Sequence, residues 1–222
     1  LCCTAMSLPA NVGQRLGAAL MRGCAGACVT MALLSAPAVH AQSAEAFGVH
    51  YAPTVDVEGR ELALNGTGVA YRALVKLYTV GLYLPAKAHQ TSEVLGQSGP
   101  MQLRFVLLRS MRVDELGKLI TRGIEHNCSR PEFFGLIPAI RAMGEQFSRM
   151  KRLHAQDVFT IAYMPERGTV FLVNDEPVGA AIRDPKFFPA ILKVWLGDQP
   201  ATTDLKNALL DHKAQPVLSA LE

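Results

Sequence analysis

Charge is scarce in this chain: 18% of its 222 residues are Asp, Glu, Lys or Arg. Setting aside Arg15 and Arg22, the only charged residues among the first 41, leaves 20 basic residues against 19 acidic. A near-neutral chain has no global field with which to hold nucleic acid or acidic lipid. Cysteine is scarcer still beyond the N-terminal region. Cys2, Cys3, Cys24 and Cys28 precede residue 42, and Cys128 alone follows it. One cysteine makes no internal disulfide, so stability must come from a packed core. Nothing basic beyond His126 is visibly placed to ionise Cys128, which reads as a small buried or half-buried side chain rather than a nucleophile. Catalytic signatures are missing as well: there is no HExxH, no Walker loop and no Gly-x-Ser-x-Gly elbow. Gly66-x-Gly68 is followed by Tyr71 where a dinucleotide loop needs its third glycine, and it opens no helix, which argues against phosphate binding.

What is present is apolar. Half the residues are hydrophobic, against 31 Gly plus Pro, a composition that excludes a disordered chain, a collagen or a coiled coil. The first 41 residues read as an N-terminal extension with a cleavable export signal, the start lying at Leu1, Met6 or Met21. Arg22 supplies the positive end, Cys24 to Ser35 the apolar stretch, and Val39-His40-Ala41 a small-residue site with cleavage after Ala41. Gly26 and Pro37 interrupt an uncharged run shorter than the roughly 20 apolar residues of a membrane span. The expected mature protein is periplasmic or secreted, and not stably inserted in a membrane.

From residue 42 to 222 the pattern predicts one domain, because no repeat, low-complexity tract or linker follows residue 47. Strands are expected at 54–57, 62–71 and 74–84, a short helix at 91–96, and a strand at 101–108. Two helices follow. Leu116, Leu119, Ile120 and Ile124 recur at helical spacing over 113–126, and Ser129 with Pro131 opens a second helix towards Met150, with a kink expected at Pro138. Arg149, Lys151, Arg152 and His154 at its end read as a solvated, dipole-complementing cluster. A hairpin of 158–164 and 169–173 comes next, then a helix capped by Asp184-Pro185 and ending at Gly197, then a last one capped by Thr203. Strands in runs around grouped helices predict an α+β fold, a large antiparallel sheet packed against a layer of helices.

Leu62-x-Leu64-Asn65-Gly66-Thr67-Gly68 and Lys76-Leu77-Tyr78-Thr79-Val80-Gly81-Leu82-Tyr83-Leu84-Pro85 resemble the opening sheet of the bacterial chalcone-isomerase-like family. Asn174-Asp175-Glu176-Pro177-Val178-Gly179, Asp184-Pro185-x-Phe187-Phe188 and Val194-Trp195-Leu196-Gly197-Asp198-Gln199-Pro200 fit it too, so the resemblance spans about residues 53 to 212. It implies an open-faced sandwich with a ligand cleft between sheet and helices. Relatives include an isomerase that closes a chalcone to a flavanone, fatty-acid-binding members, and members that bind without turnover. The catalytic members carry an arginine two residues after the second glycine of Gly-x-Gly. Here that position is Ala70, whose methyl group cannot steady an oxyanion. Nor is there a tyrosine between Tyr83 and Tyr163 to match the one contributed by the middle of the catalytic proteins.

Three functions follow as expectations. The leading one is a non-catalytic binding protein for a small apolar ligand, a fatty acid or planar aromatic, with Ala70, Arg72, Tyr78, His126 and Asn127 near it and no cofactor. The second is an isomerase or intramolecular lyase. Arg72 lies one pleat beyond Ala70, and Lys76 and Tyr78 share that face if no bulge intervenes, Tyr78 standing where the resemblance places a substrate-orienting threonine. On the competing register Arg72 and Lys76 face solvent while Tyr71, Val75 and Leu77 pack the core. The third is a haem protein with His126 as axial ligand, since His126 lies seven residues beyond Leu119 and continues that helix's apolar stripe. Set against that, His126 and Asn127 read as helix-capping residues. Phe133, Phe134, Phe187, Phe188 and Trp195 would line such a cleft or fill the core.

Overall fold

A computed structural model describes residues 44–212; the expected export signal and its cleavage point lie outside the described residues. In chain order the elements are β1 (Ala44–Ala46), β2 (Val49–Tyr51), β3 (Thr54–Val57), β4 (Arg60–Arg72), β5 (Val75–Leu84), α1 (Thr91–Leu95), β6 (Met101–Leu107) and β7 (Met111–Arg112). Then come α2 (Val113–Asn127), α3 (Arg130–Phe147), β8 (Arg152–Leu153), β9 (Val158–Met164), β10 (Gly168–Val173), β11 (Glu176–Pro177), α4 (Phe187–Leu196) and α5 (Thr203–Leu209). Seven strands form one antiparallel sheet in the order β11-β10-β9-β6-β5-β4-β3. This is the expected α+β architecture.

Each face of the sheet has its own cover. Towards the helices, Val80, Leu82, Leu103, Phe105, Phe159, Ile161 and Phe171 meet Ile120 and Ile124 of α2, Phe147 of α3, and Phe187, Phe188, Ile191 and Trp195 of α4 in one core. On the opposite face β1 and β2 make a small hairpin, which alternation alone does not predict because each strand has only three residues. Its anchor is Tyr51, whose hydroxyl lies 2.8 Å from Thr79 Oγ1. The ring rests on Gly81, where a Cβ would come within 2.7 Å of it.

Two bulges adjust the β4–β5 pairing. Leu64 pairs with Tyr83 but Gly66 with Leu82, leaving Asn65 extra on β4; Ala70 pairs with Tyr78 but Tyr71 with Lys76, leaving Leu77 extra on β5. A bulge re-aims the side chains around it, and both of these lie inside the segments that carry the family resemblance. Asn65 turns into the interior, donates to the carbonyls of Ala88 (2.9 Å) and Leu209 (2.7 Å), and accepts from Ala88 N (2.8 Å). Beside it, Gly66 lets α5 approach so closely that a Cβ would collide with the Ala208 carbonyl. The Asn-Gly pair is therefore a socket for the end of α5.

The helix boundaries follow local chemistry. Ser129 and Glu132 cap α3 reciprocally, and α3 runs through Pro138 without interruption. Two caps differ from expectation. Asp184 accepts from Lys186 N at 2.9 Å and so shapes the turn before α4 rather than capping it. Thr202, not Thr203, caps α5, accepting from Leu205 N at 3.2 Å. Gln199 has one bond to α2 at its backbone N–H and one at its carbonyl. Both come from Asn127, whose side-chain oxygen accepts from Gln199 N (2.8 Å) while its amide donates to Gln199 O (2.8 Å) and Gly123 O (2.9 Å). Asn127 is thus a clasp between α2 and the α4–α5 connection rather than a ligand contact. Asn127→Ala is expected to lower stability by about 0.5–1.5 kcal/mol through the lost hydrogen bonds, since water can reach the exposed Gln199 backbone, read as an earlier urea midpoint with unchanged slope.

Candidate functional site

The sequence candidates divide between two environments. Ala70 and Tyr78 are cross-strand partners buried in the core, and Tyr78 Oη accepts a hydrogen bond from Trp195 Nε1 at 3.1 Å. The Tyr78 ring also packs edge-on against Phe105, and Phe105 against Trp195. The strip of sheet that holds the arginine in catalytic relatives is therefore filled here by Ala70, Tyr78 and Trp195. Burial pushes the Tyr78 hydroxyl up to about 12, the wrong direction for a proton-transfer group working near neutrality. Tyr83 is raised to about 12 for the same reason. A raised pKa penalises ionisation in the fold. The stabilisation is thus whole below pH 10 and is lost as pH rises from 10 towards 12. Tyrosinate absorbance and circular dichroism followed over that range should change together.

Arg72 and Lys76 part company. The extra Leu77 turns Lys76 off the face of Tyr78, and its Nζ lies 4.2 Å from the centre of the Phe47 ring, on the side of the β1–β2 hairpin. The expected Arg72-Lys76-Tyr78 cluster does not form. Neither does its alternative, because Tyr71 and Val75 are exposed rather than in the core, while Leu77 packs against it.

Arg72 keeps the parity expected from Ala70 and enters a groove of about 580 Å³ between the end of the β4–β5 pair, α2 and the α4–α5 connection. Its apolar wall comes from Leu77, Met111, Leu119 and Val194; Arg72, Lys118, Arg122 and His126 bring basic groups and Glu115 the one carboxylate. His126 shares its helical stripe with Leu119, as the seven-residue spacing implies, but the stripe faces this groove and His126 is exposed. That is not the apolar enclosure an axial haem ligand needs. Among the described residues no cluster of three or more His, Cys, Asp or Glu is placed to hold a metal. Phe187, Phe188 and Trp195 are plain core, and Phe134 is exposed on α3.

A second groove of about 800 Å³ lies between α2 and α3. It is larger, but Arg112 and Lys118 on its wall are already engaged by Asp114, at 2.8 and 3.4 Å. Arg72 and His126 do not face it. Cys128 is half-buried and its thiol is pushed up by burial, consistent with a packing role.

Fold and groove together describe an open-faced sandwich with a ligand-sized cleft at one end of its helical layer. A family model described as chalcone isomerase-like matches residues 43–211, and the chain belongs to that family. Among solved structures it is similar to the crystal structure of the Arabidopsis thaliana fatty-acid binding protein, with 12% identity over 74% of this chain and 92% of that one and a TM-score of 0.57. At that identity the likeness establishes the fold. No curated protein matches the chain.

Proposed function

We propose that the protein is an exported, non-catalytic binding protein for a small apolar ligand bearing an acidic group, a fatty acid or planar aromatic acid, held in the groove at Arg72. The observation that carries this is the groove's make-up: an apolar wall with Arg72 and Arg122 set against the single carboxylate of Glu115, Lys118 being held by Asp114. An apolar cleft with a few polar groups at one end is the usual receptor for such molecules. The structural similarity to a fatty-acid binding protein supports the same reading. Ring closure of a chalcone would need a fixed cation and donors inside the dry cleft. At that place stand the Ala70 methyl and a Tyr78 hydroxyl already accepting from Trp195.

Native mass spectrometry of the full chain expressed with its leader tests the reading. Expected are a mass corresponding to cleavage after Ala41, and a co-purified acid or uptake of one equivalent of added palmitate. Persistent absence of both co-purified and added ligand would defeat the binding claim. An uncleaved, cytoplasmic product would defeat export alone. Incubation with a chalcone is expected to give no turnover above the solvent rate.

A further inference from the structure

The turn between β4 and β5 is built unlike the other turns of the sheet. Leu74 at its tip is 97% exposed, and Tyr71 and Val75 on its flanks and Phe47 beside it are exposed as well. Ala73 holds the turn with φ of 53°, a left-handed conformation. Phe47 and Tyr71 pack edge to face, 6.3 Å between ring centres, so the apolar groups form a patch rather than isolated side chains. Contiguous exposed apolar surface of this kind marks an interaction site.

The charged side chains of the tip itself are basic, with Glu115 of the adjoining groove as an acidic neighbour. Lys76 lies over Phe47, and Arg72 flanks the tip. Arg109 is held nearby because its backbone N–H, like that of Leu108, donates to the Leu77 carbonyl, at 3.2 and 2.9 Å. No ion pair among the described residues engages Arg72, Lys76 or Arg109. An exposed leucine tip, with two aromatic rings and the unpaired cations Arg72, Lys76 and Arg109 around its base, matches the chemistry of a bilayer surface, where acyl chains give way to an interfacial zone and anionic headgroups. Among the described residues no helix is long and apolar enough to cross a membrane, so such contact would be peripheral.

We infer that the β4–β5 tip docks the protein on anionic lipid bilayers, with Leu74 entering the acyl boundary and Arg72, Lys76 and Arg109 facing the headgroups. The near-neutral total charge does not oppose this, because screening limits the relevant field to about 10 Å. Docking rests on Leu74, Lys76 and Arg109 when an acid in the groove engages Arg72, and gains Arg72 when the groove is free. Its consequence does rest on the ligand reading: Tyr71 and Arg72 also line the groove, so docking sets the groove's mouth against the lipid, where an amphiphile is exchanged.

The test is co-sedimentation of the full chain with vesicles of phosphatidylcholine and of phosphatidylcholine with 30% phosphatidylglycerol, repeated for Leu74→Glu and for Lys76→Glu. Both positions are exposed, and circular dichroism should show the variants folded. Expected is partition to the anionic vesicles that falls on the order of tenfold in either variant and fades at high salt. Binding that is equal on both vesicle types, or that neither substitution changes, overturns the inference; the second result assigns the contact to another segment. A concentration-dependent dimer of the wild type that Leu74→Glu abolishes, without vesicle binding, overturns it in favour of a second copy as the occupant. Palmitate uptake in vesicle-free buffer, measured on the same samples, reports separately on the ligand reading.

Discussion

Trp195→Ala is expected to destabilise the protein by about 3–5 kcal/mol, the range for removing a large buried aromatic. Trp195 is 1% exposed and packs against Phe105, with its Nε1 bonded to Tyr78 Oη. The substitution opens a cavity where sheet meets helices and leaves the Tyr78 hydroxyl buried without a donor. Tyr78→Phe separates the two effects. It keeps the ring volume and strands only the indole N–H, for about 1–3 kcal/mol. Urea denaturation of both variants checks this, and equal losses would show that the hydrogen bond rather than the packing dominates. Neither variant should gain chalcone turnover, because vacating space near Ala70 supplies no cation.

Asn65→Ala should cost roughly 3 kcal/mol or more. One side chain satisfies Ala88 N, Ala88 O and Leu209 O in a buried place, and its removal strands all three, each at about 1–3 kcal/mol with partial relaxation. Lys87 Nζ, bonded to the Asn65 carbonyl at 3.1 Å, cannot reach inward to replace it without giving up that bond. Asn65→Asp is expected to be worse, since a carboxylate keeps the acceptor but offers no donor to two carbonyls. Thermal denaturation checks the order wild type, then Asn65→Ala, then Asn65→Asp. An alanine variant as stable as wild type would mean that water or a shifted α5 satisfies the socket.

These two residues also show where sequence reading reached its limit. Apolar β-forming runs bounded by turn residues place β3 to β6 and the β9–β10 hairpin, because that signal is local even where both faces of a strand are buried. Helical spacing and the Ser129–Pro131 start likewise place α2 to within a residue and the beginning of α3, while α3 ends at Phe147 rather than running to Met150. The bulges at Asn65 and Leu77 were not legible. A bulge is set by what packs against the strand from far along the chain, here the Leu209 carbonyl 144 residues away. Without the second bulge Lys76 is counted with Tyr78; with it, the two point to different sides. The β1–β2 hairpin escaped notice because its specification resides in Tyr51 seating on Gly81 and Thr79 rather than in its own pattern.

Around the candidate site the outcome was similar. Of the two registers open for Arg72 in the sequence, the one that shares the face of Ala70 holds, because no bulge separates them on β4. The spacing of Leu119 and His126 correctly put them on one stripe, but which neighbour that stripe meets is a tertiary fact. Asn127 looked like a cap, and it does bind Gly123 O in its own helix; its clasp on Gln199 depends on where the α4–α5 connection passes. The basic neighbours Lys118 and Arg122 were not singled out at all. They lie one helical turn apart on α2; Lys118 pairs with Asp114, and the groove gives Arg122 its setting.

The account turns on a cation at position 72, rather than 70, serving an acidic ligand in the groove beside α2. Calorimetric titration of the protein with laurate and with the corresponding alcohol, for wild type and Arg72→Ala, tests it most directly. The predicted result is one saturable laurate site, weaker binding of the alcohol, and a loss of about tenfold in laurate affinity on Arg72→Ala with the alcohol unaffected, as a charge-assisted contact requires. Laurate binding that is absent, or that is the same with arginine and alanine at position 72, would contradict it.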